Sequence, residues 1–195
     1  MGQNGYRELT NSKREVRKPD DLKGLKIRVV GSPLFLDTFR ALGANPTQMS
    51  WADAHPAFAS GAVDGQENPM SIFTAAKLHT VNQKYVTLWG YVADPLIFVV
   101  NKEVWESWTP ADREIVRQAA IDAGKQQIGI ARAGLVAPDL STIKTVQGLG
   151  VNVATLTPQE RDAFVTATRR VYAQWKATIG GDLVSKAEAA IAARK

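Results

Sequence analysis

The 195-residue chain contains no cysteine, which excludes disulfides, thiolate metal sites and cysteine nucleophiles. Histidine is nearly as scarce. His55 and His79 stand far apart, without the spacing of a zinc-binding helix, so no metal site is expected. Long apolar runs are missing too. The densest one, Leu96 to Val100, has the length of a strand, well short of the roughly 18–20 residues a membrane helix needs. No GxSxG, P-loop or GxGxxG signature occurs, so the common nucleophile and nucleotide sites are not indicated and no cofactor is expected. The opening residues Met1-Gly2-Gln3-Asn4 are polar and carry no basic-then-apolar leader. They read either as a cytoplasmic start or as a chain that begins downstream of the natural one.

The net charge is +5, and the sign alone allows nucleic acid, an anionic surface or anionic ligands as partners. Lys and Arg are interleaved with Asp and Glu along the chain. The one dense cluster, Lys13, Arg14, Arg17 and Lys18, sits among Glu15, Asp20 and Asp21, and no nucleic-acid module signature accompanies it. Nucleic acid is therefore not an expected partner.

Periodicity places alternating strands and helices in the first half. Residues 6–18 read as extended or looping, with a short strand at Tyr6 to Leu9. Leu25 to Val30 alternates, with Leu25, Ile27 and Val29 on one face and Lys26, Arg28 and Val30 on the other. Gly31-Ser32-Pro33 then opens a helix that Gly43 stops. A short strand at Thr47–Ser50, a helix at Trp51–Ser60, a strand running into Pro69 and a helix at Ser71–His79 follow. Tyr85–Trp89 and Leu96–Val100 read as two strands split by Ala93-Asp94-Pro95. Beyond Thr109 the chain is mainly helical: Thr109-Pro110 and Thr157-Pro158 have the grammar of helix starts, with one short strand near Val151–Ala154 between them. The pattern is that of an α/β layer with a mixed or mostly parallel sheet followed by long C-terminal helices.

Candidate site residues emerge at strand ends, where open α/β sheets bind ligands. Arg28 lies just before a strand-to-helix break and can grip a carboxylate through two parallel hydrogen bonds, although a solvated surface arginine fits the same spacing. Asn68 and its neighbours Gln66 and Glu67 join a strand to a helix and suit either a ligand or a turn. Trp51 suits a stacking wall or the core, and Tyr91 a cleft hydroxyl or a core cap. Asp64 with Glu67 would make an acid–base pair only if a nucleophile or metal accompanied it. Without one, a turn for Asp64 and an ion pair for Glu67 is the simpler reading. No catalytic residue is assigned.

Four segments then match one family in order and spacing. Gly5-Tyr6-Arg7-Glu8-Leu9-Thr10-Asn11-Ser12-Lys13-Arg14, Asp21-Leu22-Lys23-Gly24-Leu25-Lys26-Ile27-Arg28-Val29, Ala41-Leu42-Gly43-Ala44-Asn45-Pro46 and Gly61-Ala62-Val63-Asp64-Gly65-Gln66-Glu67-Asn68-Pro69 resemble the solute-binding proteins of tripartite ATP-independent periplasmic (TRAP) transporters, the DctP family. The resemblance implies a type II periplasmic-binding-protein-like lobe with the first lobe largely missing. It implies capture of a small organic acid for a membrane permease, and a periplasmic location for the full-length protein. Arg28 matches the arginine that salt-bridges the ligand carboxylate, Asn68 the asparagine on the same group, and Arg7 a second pocket arginine of some members. Trp51 falls where members carry a closing aromatic, and Glu67 is expected to orient Arg28. By the same resemblance, residues 1–92 form the carboxylate-binding lobe, 93–150 a crossover strand and long helix that complete the other lobe, and 151–195 a strand and helices that pack back. A chain lacking the first lobe would bind weakly or not at all, and would expose apolar surface that leads to homo-oligomers. A lyase or isomerase acting on a carboxylic acid, and a fragment that only self-associates, are the alternatives.

Overall fold

The structure, a computed structural model, describes residues 2–193. Its six strands are β1 (Gly2–Asn11), β2 (Lys26–Val29), β3 (Asn45–Gln48), β4 (Gly65–Pro69), β5 (Tyr85–Leu96) and β6 (Asn152–Thr155). They form one sheet in the order β3-β2-β4-β1-β5-β6. β1 runs antiparallel to both of its neighbours, while β2 pairs parallel with β3 and β4, and β5 parallel with β6. The expected mixed α/β layer is therefore present.

The helices are α1 (Pro33–Ala41), α2 (Trp51–Ser60), α3 (Met70–Ala75), α4 (Lys102–Ser107), α5 (Pro110–Arg132), α6 (Ser141–Gly148), α7 (Pro158–Ile179) and α8 (Gly181–Ala192). Caps explain several of the starts. Ser50, Thr109 and Thr157 each accept a hydrogen bond from the backbone N–H three residues on, and Thr157 forms a full capping box with Glu160. One core cluster packs Ile27, Val29 and Leu9 of the sheet against Phe39 of α1 and Phe164 of α7. A second packs Val86 of β5 against Ala54 and Phe58 of α2, Phe73 of α3 and Val146 of α6. The sheet is thus covered on both faces, as the alternation of Leu25, Ile27 and Val29 requires on one of them. Gly65 has no substitute where β4 meets β1, because a Cβ there would lie 2.2 Å from the Thr10 carbonyl oxygen.

Three sequence readings need correction. The extended segment near Tyr6 is a ten-residue strand at the centre of the sheet, because β4 and β5 pair with it from both sides. Tyr85–Trp89 and Leu96–Val100 are not two strands. One strand runs through Pro95 to Leu96, where its partner β1 ends, and residues 97–100 form no ladder. Ala93-Asp94-Pro95 is tolerated because β6 pairs with β5 only along Tyr85–Leu88, which leaves the proline on a free edge. The helices α4 and α6 were not anticipated. Both are short: α6 gains its place by burying Ile143 and Val146, and α4 from the Asn101 cap and from Arg113, which donates to the carbonyls of Trp105 and Glu106.

The Glu8 carboxylate is buried on β1, where its Oε2 accepts hydrogen bonds from the backbone N–H groups of Trp89 (2.7 Å) and Gly90 (2.9 Å). Burial pushes its pKa up to about 7, against the opposing pull of those two N–H groups and of Arg161. The folded protein therefore holds this proton up to about pH 7, while an unfolded chain releases it near the ordinary value of 4.5. Unfolding releases a proton between those values, so stability falls as pH rises through that window. Denaturant titrations at several pH values should show this slope, and Glu8→Gln should flatten it. A wild-type stability that rises across the same window would refute the assignment.

Candidate functional site

The parallel strands β2, β3 and β4 all end on the same edge of the sheet, and each is followed at once by a loop or helix start. Arg28 sits one residue before the end of β2, Trp51 is the first residue of α2, and Asn68 is the penultimate residue of β4. The antiparallel β1 delivers Arg7 to this same edge, because its register places Arg7 opposite Pro69. On the other side Arg7 pairs with Val92, which brings Tyr91 and Asp94 of β5 alongside.

The two arginines are in contrasting states. Arg7 is saturated: its Nε and one terminal nitrogen bond both carboxylate oxygens of Glu67, and its other terminal nitrogen donates to Asp94 Oδ2 at 2.8 Å. The Glu67-facing nitrogen also reaches the Glu67 carbonyl at 2.8 Å and Asn68 Oδ1 at 3.1 Å. Burial works to lower its pKa, but the two carboxylates outweigh burial and hold it above the ordinary value. Arg28 is only 4% exposed, yet forms no ion pair among the described residues. Its Nε donates to the Met49 carbonyl at 2.9 Å, and its guanidinium carbon lies 5.6 Å from the centre of the Trp51 ring. Among the described residues the single dry, unpartnered side-chain polar atom is Trp89 Nε1. The terminal nitrogens of Arg28 have no acceptor among the described residues and are not among the dry atoms, so they reach solvent. Burial, and secondarily the nearby Arg7, pull its pKa below the ordinary arginine value, with Glu67 opposing. A guanidinium held this way, desolvated and with no carboxylate in direct contact among the described residues, gains most from an incoming anion.

The remaining groups frame this cation. Asn68 donates to Gln66 Oε1, Gln66 donates to Thr10 Oγ1 at 2.9 Å, and Thr10 donates to Gln83 Oε1 at 2.8 Å, so the asparagine is fixed by a buried amide chain. Tyr91 stands edge-on to Phe35 at 5.9 Å, and no hydrogen bond to its hydroxyl is found among the described residues. Burial raises its pKa and Glu67 adds to that, so the phenol keeps its proton and can donate. Trp51 is 40% exposed and offers a ring face to whatever sits on Arg28.

The six residues singled out from sequence, Arg28, Asn68, Arg7, Trp51, Glu67 and Tyr91, are all found at or beside this edge. Glu67 does not bond Arg28, however. Both its oxygens are taken by Arg7, which also removes it as a free base. Three participants escaped the sequence reading. Phe35 lies 5.7 Å from the Arg7 guanidinium, Asp94 completes the bracing of Arg7, and the Met49 carbonyl anchors Arg28. Phe35 lies inside the helix that Gly31-Ser32-Pro33 opens, and Asp94 stands in the expected break between two strands. The pairing of β1 with β5 reveals the role of Asp94, and the packing of α1 on the sheet that of Phe35.

The family model described as bacterial extracellular solute-binding protein, family 7 (DctP), matches residues 1–178. The chain belongs to this family. Among its relatives, a solute-binding protein of Verminephrobacter eiseniae is 36% identical over 91% of this chain and 51% of its own length. The 2,3-diketo-L-gulonate-binding periplasmic protein of Escherichia coli is 34% identical over 85% of this chain and 48% of its own. A crystal structure of a TRAP periplasmic solute-binding protein from Ralstonia eutropha, with bound (S)-2-acetolactate, is 70% identical, with a TM-score of 0.95 over 98% of this chain and 61% of that one. The chain spans about half the length of these curated relatives. The fold of this DctP chain is that of part of a TRAP solute-binding protein, and its relatives are binding proteins rather than enzymes.

Removing one partner of a buried ion pair strands the other charge. Glu67→Gln is expected to cost ~3 kcal/mol of unfolding free energy. Asp94→Asn, at a carboxylate that is 23% exposed, is expected to cost clearly less. Urea unfolding of the two variants measures the difference, and equal losses would contradict the assignment of Glu67 as the principal brace.

Proposed function

We propose that this chain is the carboxylate-gripping lobe of a periplasmic solute-binding protein that captures a small organic acid and delivers it to a TRAP membrane permease. The observation that carries this reading is Arg28: buried, unpaired, open to solvent at its terminal nitrogens, and flanked by Trp51 at a sheet edge. The ligand carboxylate would take both terminal nitrogens of Arg28. Asn68 would bond the same group, the Tyr91 hydroxyl would donate to a neighbouring oxygen, and Trp51 would cover the ligand. Arg7 and Glu67 would serve as a charged brace that shapes the site. The bound 2-acetolactate of the Ralstonia protein and the diketogulonate named for the Escherichia coli protein favour a small hydroxy or oxo acid.

In this reading residues 1–92 form the ligand lobe, 93–150 cross to a second lobe, and 151–195 pack back. The crossing segment has the surface such a role needs. Ile97, Phe98 and Val99 are 72%, 66% and 78% exposed, and Ala131 alone is buried along the whole of α5. The helix is held to β1 by the Gln127 side chain, which donates to the Gln3 carbonyl and accepts from its N–H. A second lobe would cover this apolar surface and close over the ligand, each lobe adding contacts. The chain by itself should self-associate through it.

Titration calorimetry of the whole protein with (S)-2-acetolactate and related acids tests the grip. Arg28→Ala is expected to weaken binding by at least about 100-fold, and Arg28→Lys to recover only part of that, since an ammonium cannot make the two-pronged contact. Unchanged affinity in Arg28→Ala would refute the role. The isolated chain should bind the same acid far more weakly and should scatter light with a mass above one chain. A monomeric chain with full affinity would overturn the two-lobe reading.

A further inference from the structure

Opposite the single residue Glu8, β5 inserts four residues. Arg7 pairs with Val92 and Leu9 with Thr87, so Leu88, Trp89, Gly90 and Tyr91 bulge out between them. The bulge breaks the β1–β5 ladder, although Leu88 stays paired with β6, and the N–H groups of Trp89 and Gly90 need other acceptors. Glu8 supplies one for both, accepting from Trp89 N and Gly90 N at 2.7 and 2.9 Å. Arg161 of α7 holds the other side, donating to the carbonyls of Trp89 (3.1 Å) and Gly90 (3.3 Å). Gly90 has φ of +58°, a conformation costly for any residue with a side chain. The last residue of the bulge is Tyr91, whose ring lies 5.0 Å from Trp89 and edge-on to Phe35, with its hydroxyl within range of the Glu67 and Arg7 charges.

We propose that Glu8 is a positioning residue: it clamps the β5 bulge through two backbone N–H groups and thereby sets where Tyr91 presents its hydroxyl in the cleft. The clamp itself is independent of the ligand. Its effect on affinity rests on the cleft being the ligand site. Without the carboxylate, two buried N–H groups lose their acceptors, the bulge relaxes, and Tyr91 is no longer fixed against Trp89. Glutamine keeps one acceptor oxygen and should hold the bulge in part. Arg161 is the charged group facing Glu8 from the helix above it, so the clamp works from both sides of the same two residues.

The test needs no ligand in its first arm. Amide exchange and Tyr91 ring resonances are measured by NMR in the full chain, in wild type, Glu8→Gln and Glu8→Ala. Exchange at Trp89 and Gly90 should rise about tenfold or more in Glu8→Ala and less in Glu8→Gln. The Tyr91 ring signals should shift as the ring moves from Trp89, while β2 and β3 keep their protection. If Glu8→Ala fails to fold, Glu8→Gln carries the comparison. Unchanged exchange at the two amides, or unmoved Tyr91 signals, overturns the proposal. In the second arm, binding of (S)-2-acetolactate is measured for Glu8→Gln, Tyr91→Phe and the double variant. The double variant should be no weaker than Tyr91→Phe alone. Multiplying penalties would show that Glu8 does not act through Tyr91. Absence of binding in wild type alongside a positive first arm would overturn the ligand reading and leave the clamp standing.

Discussion

Two guanidinium groups meet at the carboxyl edge of one sheet, and among the described residues only Arg7 forms ion pairs. Glu67 and Asp94 neutralise it, while Arg28 is left with a backbone carbonyl and a tryptophan face. Burying a cation without an anion is costly, so the fold maintains Arg28 only by letting its terminal nitrogens touch solvent. That imbalance is what gives the cleft its chemistry. If both arginines were paired, nothing there would call for a ligand; if neither were, their mutual repulsion would oppose folding.

The sheet topology makes the imbalance possible. Parallel strands β2 and β4 bring Arg28 and Asn68 to one edge, and the antiparallel β1 inserted beside them brings Arg7 to the same place. Gly65, opposite Asn11, lets β4 lie close against β1 at the other end of the same ladder, where a Cβ would strike the Thr10 carbonyl. Behind the charges, the amide chain through Asn68, Gln66, Thr10 and Gln83 fixes the orientation of the asparagine without using another charge. An aromatic group of Phe35, Phe39, Trp89, Tyr91 and Phe164 joins the cleft wall to α1 and α7. For the proposed carboxylate grip, rigidity in this wall would matter, since small displacements weaken bidentate contacts.

The contrast between the two halves of the chain is as informative. The sheet and its flanking helices bury two core clusters, whereas α5 and residues 97–100 leave large side chains in water. The helix is well capped and tied to β1 by Gln127, so its exposure does not come from poor helix formation. Such a surface is consistent with a chain that spans about half the length of its curated relatives.

Most helices were legible in the sequence because their signals are local. Thr109-Pro110, Thr157-Pro158 and the Gly61 stop act within one turn, and the alternation of Leu25, Ile27 and Val29 names a buried face directly. The family was legible because ordered motifs carry it, and Arg7, Arg28, Glu67 and Asn68 lie within those motifs, whereas Trp51 and Tyr91 stand out by their places between strands and helices. The sequence alone could not tell the two arginines apart. Which of them is neutralised depends on Glu67 and Asp94, sixty and eighty-seven residues from Arg7, and so on strand pairing. The length of β5, its bulge and the part played by Glu8 and Phe35 were likewise decided by tertiary structure. A strand's partners settle whether a proline is tolerated, whether four residues can face one, and where a buried carboxylate finds its donors.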